Sequence, residues 1–252
     1  MEKVRKPFQG VGNIIRFNWH FYILSITLLL ALLTVSKYID EPFRLYVIII
    51  CIAVSITILI SLLVSFYIYD LSGLYNLKWL EDESIKGLIV NINAGFDETS
   101  VLLNEKYKNA ELVVFDFYDP LKHTEVSIKR ARKAYPPFSG TKEIKTTHLP
   151  LGDNSADKVF VILSAHEIRN EAERIEFFKE LKRIVKPEGE IFIMEHLRDS
   201  ANFLAYTIGF FHFHSKTSWL NIFKSASINI KNEIKLTPFI STFILDKNGN
   251  SF

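Results

Sequence analysis

The sequence predicts an α/β fold: a mostly parallel sheet with helices on both faces, closed by an antiparallel pair of strands and preceded by a transmembrane helical hairpin. Three observations predict it. From Gly87 onward, short apolar runs alternate with amphipathic stretches, the order expected of βαβ units. The segment from Ala226 to Lys247 breaks that alternation and offers two strands joined by a turn. Two long runs without charge stand near the start of the chain.

Those runs come first. No Asp, Glu, Lys or Arg occurs from Phe17 to Ser36, or from Leu45 to Tyr69. As helices, they would span roughly 30 Å and more, enough for a bilayer's hydrocarbon core. A signal peptide competes for the first run, because Lys3, Arg5, Lys6 and Arg16 precede it. Its apolar part is longer than a signal core, however, no small-residue cleavage site stands out before Asp40, and a second run follows at once. Buried core helices are the other alternative. The basic residues before the first run face only Glu2, whereas Lys37 and Arg44 in the connection are balanced by Asp40 and Glu41. The positive-inside rule then places the N-terminus and everything after Asp70 in the cytoplasm. Trp19, Phe21, Tyr22, Tyr38, Phe43 and Tyr46 are expected interfacial anchors, and Pro42 lies in the short connection. The expected division is a basic N-terminus (1–16), a transmembrane hairpin (17–70), a linker (71–85) and the α/β domain (86–252).

The 252 residues leave room for one such domain beside the hairpin. A net charge of +2 gives no electrostatic case for nucleic acid, and none is expected as a partner. The single cysteine, Cys51, falls in the second run. It allows neither an internal disulfide nor a cysteine-based metal site, and is expected to pack as a free thiol.

Within the domain, "GLIVNI" (Gly87 to Ile92) reads as a buried strand and "TSVLLNEKYKNA" as a helix. "ELVVFDF" (Glu111 to Phe117) is a second strand, followed by a helix expected to start at Asp119 and Pro120 and to run to Tyr135. "ADKVFVILS" (Ala156 to Ser164) is another strand. The helix after Asn170 carries Ala172, Ile175, Phe178, Leu181 and Val185 at helical spacing and is expected to end at Pro187 and Gly189. "EIFIMEH" (Glu190 to His196) is the next strand. Trp79, in the aromatic and charged segment before the domain, lies either at the membrane surface or on the domain.

In an open parallel sheet, ligands bind beyond the carboxyl ends of the strands. The loop there is "NINAGFDET", with a single glycine, Gly95, and with Asp97 and Glu98 at the next helix's N-terminus. Acids at that position suit a helix start but repel phosphate, so a cationic ligand is better tolerated. Asp116 ends the second strand, where a carboxylate can accept ribose hydroxyls or merely cap the next turn. Together these features suit S-adenosyl-L-methionine, whose sulfonium and amino groups are positive.

"LPLGDNSADKVFVILSAHEI" and "FFKELKRIVKPEGEIFIMEH" resemble the second half of class I S-adenosylmethionine-dependent methyltransferases of the quinone and sterol type. The resemblance covers roughly Lys86 to Lys247. It implies a Rossmann-like methyltransferase fold with a seven-stranded sheet, S-adenosyl-L-methionine as cofactor, and a cofactor site at Asn91, Asn93, Ala94, Gly95, Asp116, Phe117 and Ser164. The family's D-x-G-x-G-x-G loop aligns with "NINAGFD", so Asn91 replaces the acid while Asn93 and Asp97 replace glycines. Asn93 is expected to keep the turn because asparagine tolerates left-handed backbone. The family's acid before the third loop has no counterpart in "IKTTHLPL".

His166 follows the fourth strand of that pattern, as a base or as a structural or cofactor-contacting ring. Glu195 and His196 end the fifth, acting directly or pairing with Arg198 or a helix end. Methyl transfer is an in-line displacement, so positioning dominates, and a base helps only where the acceptor must lose a proton. In "GFFHFHSKTSW", His212 and His214 have no acid or cysteine nearby in sequence, so no metal is expected. Its aromatic residues suit an acceptor pocket or membrane-facing surface, or ordinary core. An anchored domain suits a lipid-soluble or small-molecule acceptor at the cytoplasmic face of the bilayer. Localisation to a partner complex, or a catalytically silent binding module on the same fold, are the alternatives.

Overall fold

The computed structural model describes residues 5–80 and 84–248. Glu2, Lys3 and residues 81–83 of the expected linker lie outside them. Seven strands, β1 (Leu88–Asn93), β2 (Glu111–Asp116), β3 (Lys142–Glu143), β4 (Ala156–Ile162), β5 (Val185–His196), β6 (Asn229–Thr237) and β7 (Ile240–Asp246), form one sheet in the order β3-β2-β1-β4-β5-β7-β6. Strands β1 to β5 pair in parallel, and β7 runs antiparallel to both β5 and β6. The order reverses between β1 and β4, which places the switch point of the sheet at the carboxyl ends of those two strands.

The strand sequences dictate the two faces. Val90, Ile92, Val159, Val161, Ile191 and Ile193 alternate onto one face and join Phe177, Phe178, Leu181 and Ile184 of α5 (Glu171–Ile184) and Trp219, Ile222 and Phe223 of α7 (Lys216–Ser225) in the main core. Ile89, Phe160 and Phe192 point the other way, against Leu103 and Tyr107 at α3 (Ser100–Lys106) and against Leu77 and Leu80. Residues 74–80 are thus packed on the sheet. Trp79 packs on the domain too: its indole N–H donates to the Leu74 carbonyl at 3.0 Å and its ring meets Phe192 edge-on.

Several boundaries differ from those expected. The helix sought at Asp119–Tyr135 forms only over α4 (Val126–Ala134), because Asp119 and its side chain close a local turn by accepting the amides of Leu121 and His123. Helix α5 stops at Ile184, capped at its start by Asn170 Oδ1 on the Glu173 amide, and its buried stripe is Arg174, Phe177, Phe178, Leu181 and Ile184; Ala172 is exposed. Residues Val185 to Gly189 belong to the strand that follows. The two-residue β3 and the short α6 (Ser200–Tyr206) have no strong sequence pattern.

Two helices, α1 (Gln9–Ser36) and α2 (Phe43–Phe66), are long and apolar enough to cross a membrane. Their apolar side chains are mostly exposed, Leu24 at 66% and Ile50 at 56%, which is not how core helices sit. The first turns of α1 belong to the domain instead. Phe17 is buried against Phe96 and Tyr135, and Arg130 of α4 donates to the Phe17 carbonyl at 2.7 Å. Asn18 leaves helical geometry between these two parts of α1. A π turn (Tyr67–Leu71) continues α2, and its Asp70 accepts the Gly10 and Val11 amides at 2.8 Å each, so the end of one apolar helix caps the start of the other. Asp70→Ala is expected to cost about 1–2 kcal/mol in denaturant melts of the detergent-solubilised chain, with Asp70→Asn losing less; equal stability of Asp70→Ala and wild type would show that α1 is held elsewhere.

Candidate functional site

At the switch point, the carboxyl ends of β1 and β4 and the first turns of α1 enclose a cavity of about 280 Å³. Its wall includes Asn93, Ala94, Ser164, His166, Glu167 and Phe213, and its roof includes Gly10, Asn13 and Phe17.

The β1 loop closes by side-chain chemistry that glycines would not supply. Asn93 Oδ1 accepts the Gly95 amide at 2.9 Å, and its Nδ2 donates to the Phe115 carbonyl. Asn93 therefore keeps the turn through its side chain; the left-handed residue is Gly95, with φ +96°. Asn91 does not face the cavity. Its Nδ2 donates to Thr99 Oγ1 at 3.0 Å and Ser100 Oγ at 2.8 Å, while Asp97 Oδ1 accepts the Thr99 and Ser100 amides. Asn91 and Asp97 thus hold the loop onto α3. Glu98 is turned outward to the roof, where it receives Arg5 at 2.8 Å, Asn13 at 3.2 Å and the Tyr75 hydroxyl at 2.9 Å.

On the other side of the loop, both Asp116 oxygens are engaged. Oδ1 accepts the Tyr118 amide at 2.8 Å, and Oδ2 pairs with the Arg132 guanidinium of α4, which also stacks 4.3 Å over the Tyr118 ring. These side chains fill the space above the loop. A Cβ at Gly95 would stand 2.8 Å from Arg132 and 3.0 Å from Tyr118. Phe117 is buried against Phe177. Ser164 donates to the Ile92 carbonyl at 3.0 Å, tying the β4 loop to β1, and the residue before it, Leu163, holds φ +52°, a conformation leucine adopts only under constraint.

The β4 and β5 ends bring His166 and Glu195 together. Glu195 is fully buried and takes the His166 ring at Nδ1, 2.6 Å away, and the His166 amide at 3.1 Å. Burial pushes the imidazole down, but the carboxylates of Glu195 and Glu167 outweigh it and raise its pKa to about 10. At neutral pH the ring already carries its proton, so this geometry favours charge placement over general-base catalysis. Glu167 is held below the usual carboxylate range against burial by His166 and His212, and Arg169 stands 3.6 Å from its Oε2.

His196 lines the cavity and does not pair with Arg198: Asn202 Oδ1, in the first turn of α6, meets its Nδ1 (3.0 Å), and the Tyr69 hydroxyl meets its Nε2 (2.8 Å). Burial lowers its pKa to about 4. Unfolded chains bind that proton below about pH 6.5, and the folded chain resists it until about 4, so stability is retained above 6.5 and falls as the pH drops through that window. His196→Gln is expected to flatten the fall in thermal midpoint between pH 6.5 and 4; superimposable pH profiles would refute this. His212 and His214 diverge. His214 Nε2 meets Arg174 at 2.9 Å beside Trp219, while His212 reaches the rim at Glu167.

This geometry can be set beside known proteins. Residues 91–193 match a family model described as a methyltransferase domain. The strand order and the antiparallel β7 complete the assignment of fold. The chain has the class I methyltransferase fold. A chain from the complex containing the Haloferax volcanii Trm112 methyltransferase activator aligns with a TM-score of 0.50 at 11% identity, over 73% of this chain and 92% of that one. A SAM dependent methyltransferase from Aquifex aeolicus aligns at 0.47 with 16% identity, over 68% and 86%. A LepI complex with SAM aligns at 0.47 with 18% identity, over 68% and 45%. No curated protein matches the chain. The methyltransferase-domain match supports S-adenosyl-L-methionine as the cofactor. Of the acids such a cation would meet, Glu167 lines the cavity, Glu195 lies fully buried behind the His166 ring, and Asp116 is taken by Arg132.

Proposed function

We propose that this protein is a membrane-anchored, S-adenosylmethionine-dependent methyltransferase acting on a lipid-soluble or small-molecule acceptor at the cytoplasmic face of the bilayer. The observation that carries this reading is the cavity at the switch point, walled by the β1 and β4 loops and roofed by the first turns of an apolar helix. When bound, the cofactor supplies a methyl group activated on a sulfonium. Asn93, Ala94 and Gly95 would line its seat, and Asp116 would accept ribose hydroxyls. Glu167 on the cavity wall would offer a carboxylate to the cofactor's cationic groups. Ile14, Phe17 and Phe213 present apolar surface to an acceptor and exclude water.

The bilayer side is supported by a second apolar surface. Helix α6, which packs against α2, and the turn after it expose Phe203, Leu204, Ile208 and Phe211, with Ile208 at 82%. An acceptor dissolved in the membrane would reach the roof between α1 and α6 without crossing bulk water. Residue Arg132 on Asp116 supports a second reading, a catalytically silent module on the same fold. Titration calorimetry of the detergent-purified chain with S-adenosylmethionine, followed by label transfer from methyl-labelled cofactor into membrane-lipid extracts, separates the two. Binding and protein-dependent label in the organic phase are expected. No binding at millimolar ligand would overturn the enzyme reading.

A further inference from the structure

We propose that His166, Glu167 and His212 form a binding site for a divalent first-row transition-metal ion, with zinc as the reference ion, at the rim of the cavity. The three residues come from the turn after β4 and the turn after α6, 45 or more positions apart in sequence for His212, and one donor atom from each lies within 4.8 Å of the others. Both imidazoles present Nε2 to the same carboxylate oxygen: His166 at 3.3 Å and His212 at 3.4 Å from Glu167 Oε1.

Those separations are informative. A charge-assisted hydrogen bond would close to about 2.7–2.9 Å. Two donors on a tetrahedral ion with bonds of roughly 2.0–2.2 Å stand about 3.3–3.6 Å apart, the spacing of each imidazole from Glu167 Oε1, while the imidazole donors lie within 4.8 Å of each other. The His166 ring is prepared for such a role, because buried Glu195 fixes the proton at Nδ1 and leaves Nε2 facing Glu167. An ion would then take the place of the second proton. Two imidazoles and one carboxylate suit zinc, cobalt, nickel or iron(II) over magnesium or calcium. With three protein donors, the fourth position is left toward the cavity that His166 and Glu167 line. Arg169, whose Nη2 lies 2.7 Å from the His212 ring, must withdraw when the ion enters; its side chain is 44% exposed and stands at the rim, so it has solvent to withdraw into. Sequence spacing could not reveal the set, because the acid for His212 is supplied by another loop.

The test uses the full-length, tag-free protein in detergent after dialysis against chelator. Cobalt(II) titration is expected to show one equivalent bound, with visible absorption bands that one equivalent of zinc abolishes. His212→Ala, at a half-buried rim position, and Glu167→Gln are expected to weaken binding by about 100-fold or more, and Glu195→Gln, acting through the His166 ring, by about 10–100-fold. Thermal melts confirm that each variant is folded. Absence of stoichiometric uptake by the folded wild type, or uptake that His212→Ala leaves unchanged, would overturn the site. Uptake is read without cofactor, so failure of the ion site leaves the methyl-transfer reading standing, and a bound ion is expected to compete with the cofactor's cation for Glu167.

Discussion

Glu195→Leu is expected to destabilise the domain by about 3–5 kcal/mol, because it removes one half of a buried ion pair and leaves the other half in place. Glu195 has no exposure to solvent and accepts both the ring and the amide of His166. Leucine fills much of the same volume but accepts neither, so a protonated or newly neutral imidazole and a backbone N–H are left buried without their partner. Glu195→Gln keeps a carbonyl acceptor for the His166 amide and places an amino group that can donate to a neutral Nδ1, and is expected to lose less than half as much. Urea melts of the two variants in detergent, at one pH near neutrality, make the comparison. A loss below about 1 kcal/mol for Glu195→Leu would mean that His166 and Glu195 are not paired in the folded protein.

That pairing illustrates what the sequence carries. Each strand announces itself, since "GLIVNI", "ELVVFDF", "ADKVFVILS" and "EIFIMEH" are apolar runs of strand length, and the rim residues follow because ligands gather at the carboxyl ends of parallel strands. That His166 meets Glu195 depends on β4 lying beside β5, with Ile162 opposite Met194. Strand order is a property of the whole sheet, and it has no local signal. The roof was hidden for a related reason. Phe17 reads as the start of a membrane span because it begins a charge-free run, yet it is buried by Phe96 and Tyr135, residues about 80 and 120 positions away. The clamp of Arg5, Asn13 and Tyr75 on Glu98 likewise joins three separate segments. Asn93 is legible in its role and not in its means: asparagine in that loop predicts the turn through tolerance of left-handed backbone, and its side-chain hydrogen bond to the Gly95 amide closes it instead.

The Asp116–Arg132 pair decides between the enzyme and the silent module, and the decision lies in the signs of two substitutions. If Asp116 is the ribose acceptor and Arg132 stands in the ribose's place, cofactor and guanidinium compete for one carboxylate. Asp116→Ala is then expected to weaken S-adenosylmethionine binding at least tenfold, about 1.4 kcal/mol, whereas Arg132→Ala is expected to tighten it by several-fold, since no ion pair must be broken first. With Asp116 buried and the Arg132 side chain 29% exposed, desolvation offsets most of the attraction and the net contribution is about 1 kcal/mol, which sets the scale of the gain. The pair's geometry makes the competition local: Tyr118 stacks beneath the guanidinium, and Arg132 blocks the approach to Gly95. If the pair is purely architectural, the two variants lose the same contact and affect binding alike. Calorimetry on wild type, both single variants and the double variant reads the difference directly, with thermal midpoints alongside to separate affinity from folding. Opposite signs would identify Arg132 as a gate on the ribose seat of a working cofactor site; equal losses would place Asp116 outside it and return weight to a binding module that kept the methyltransferase fold.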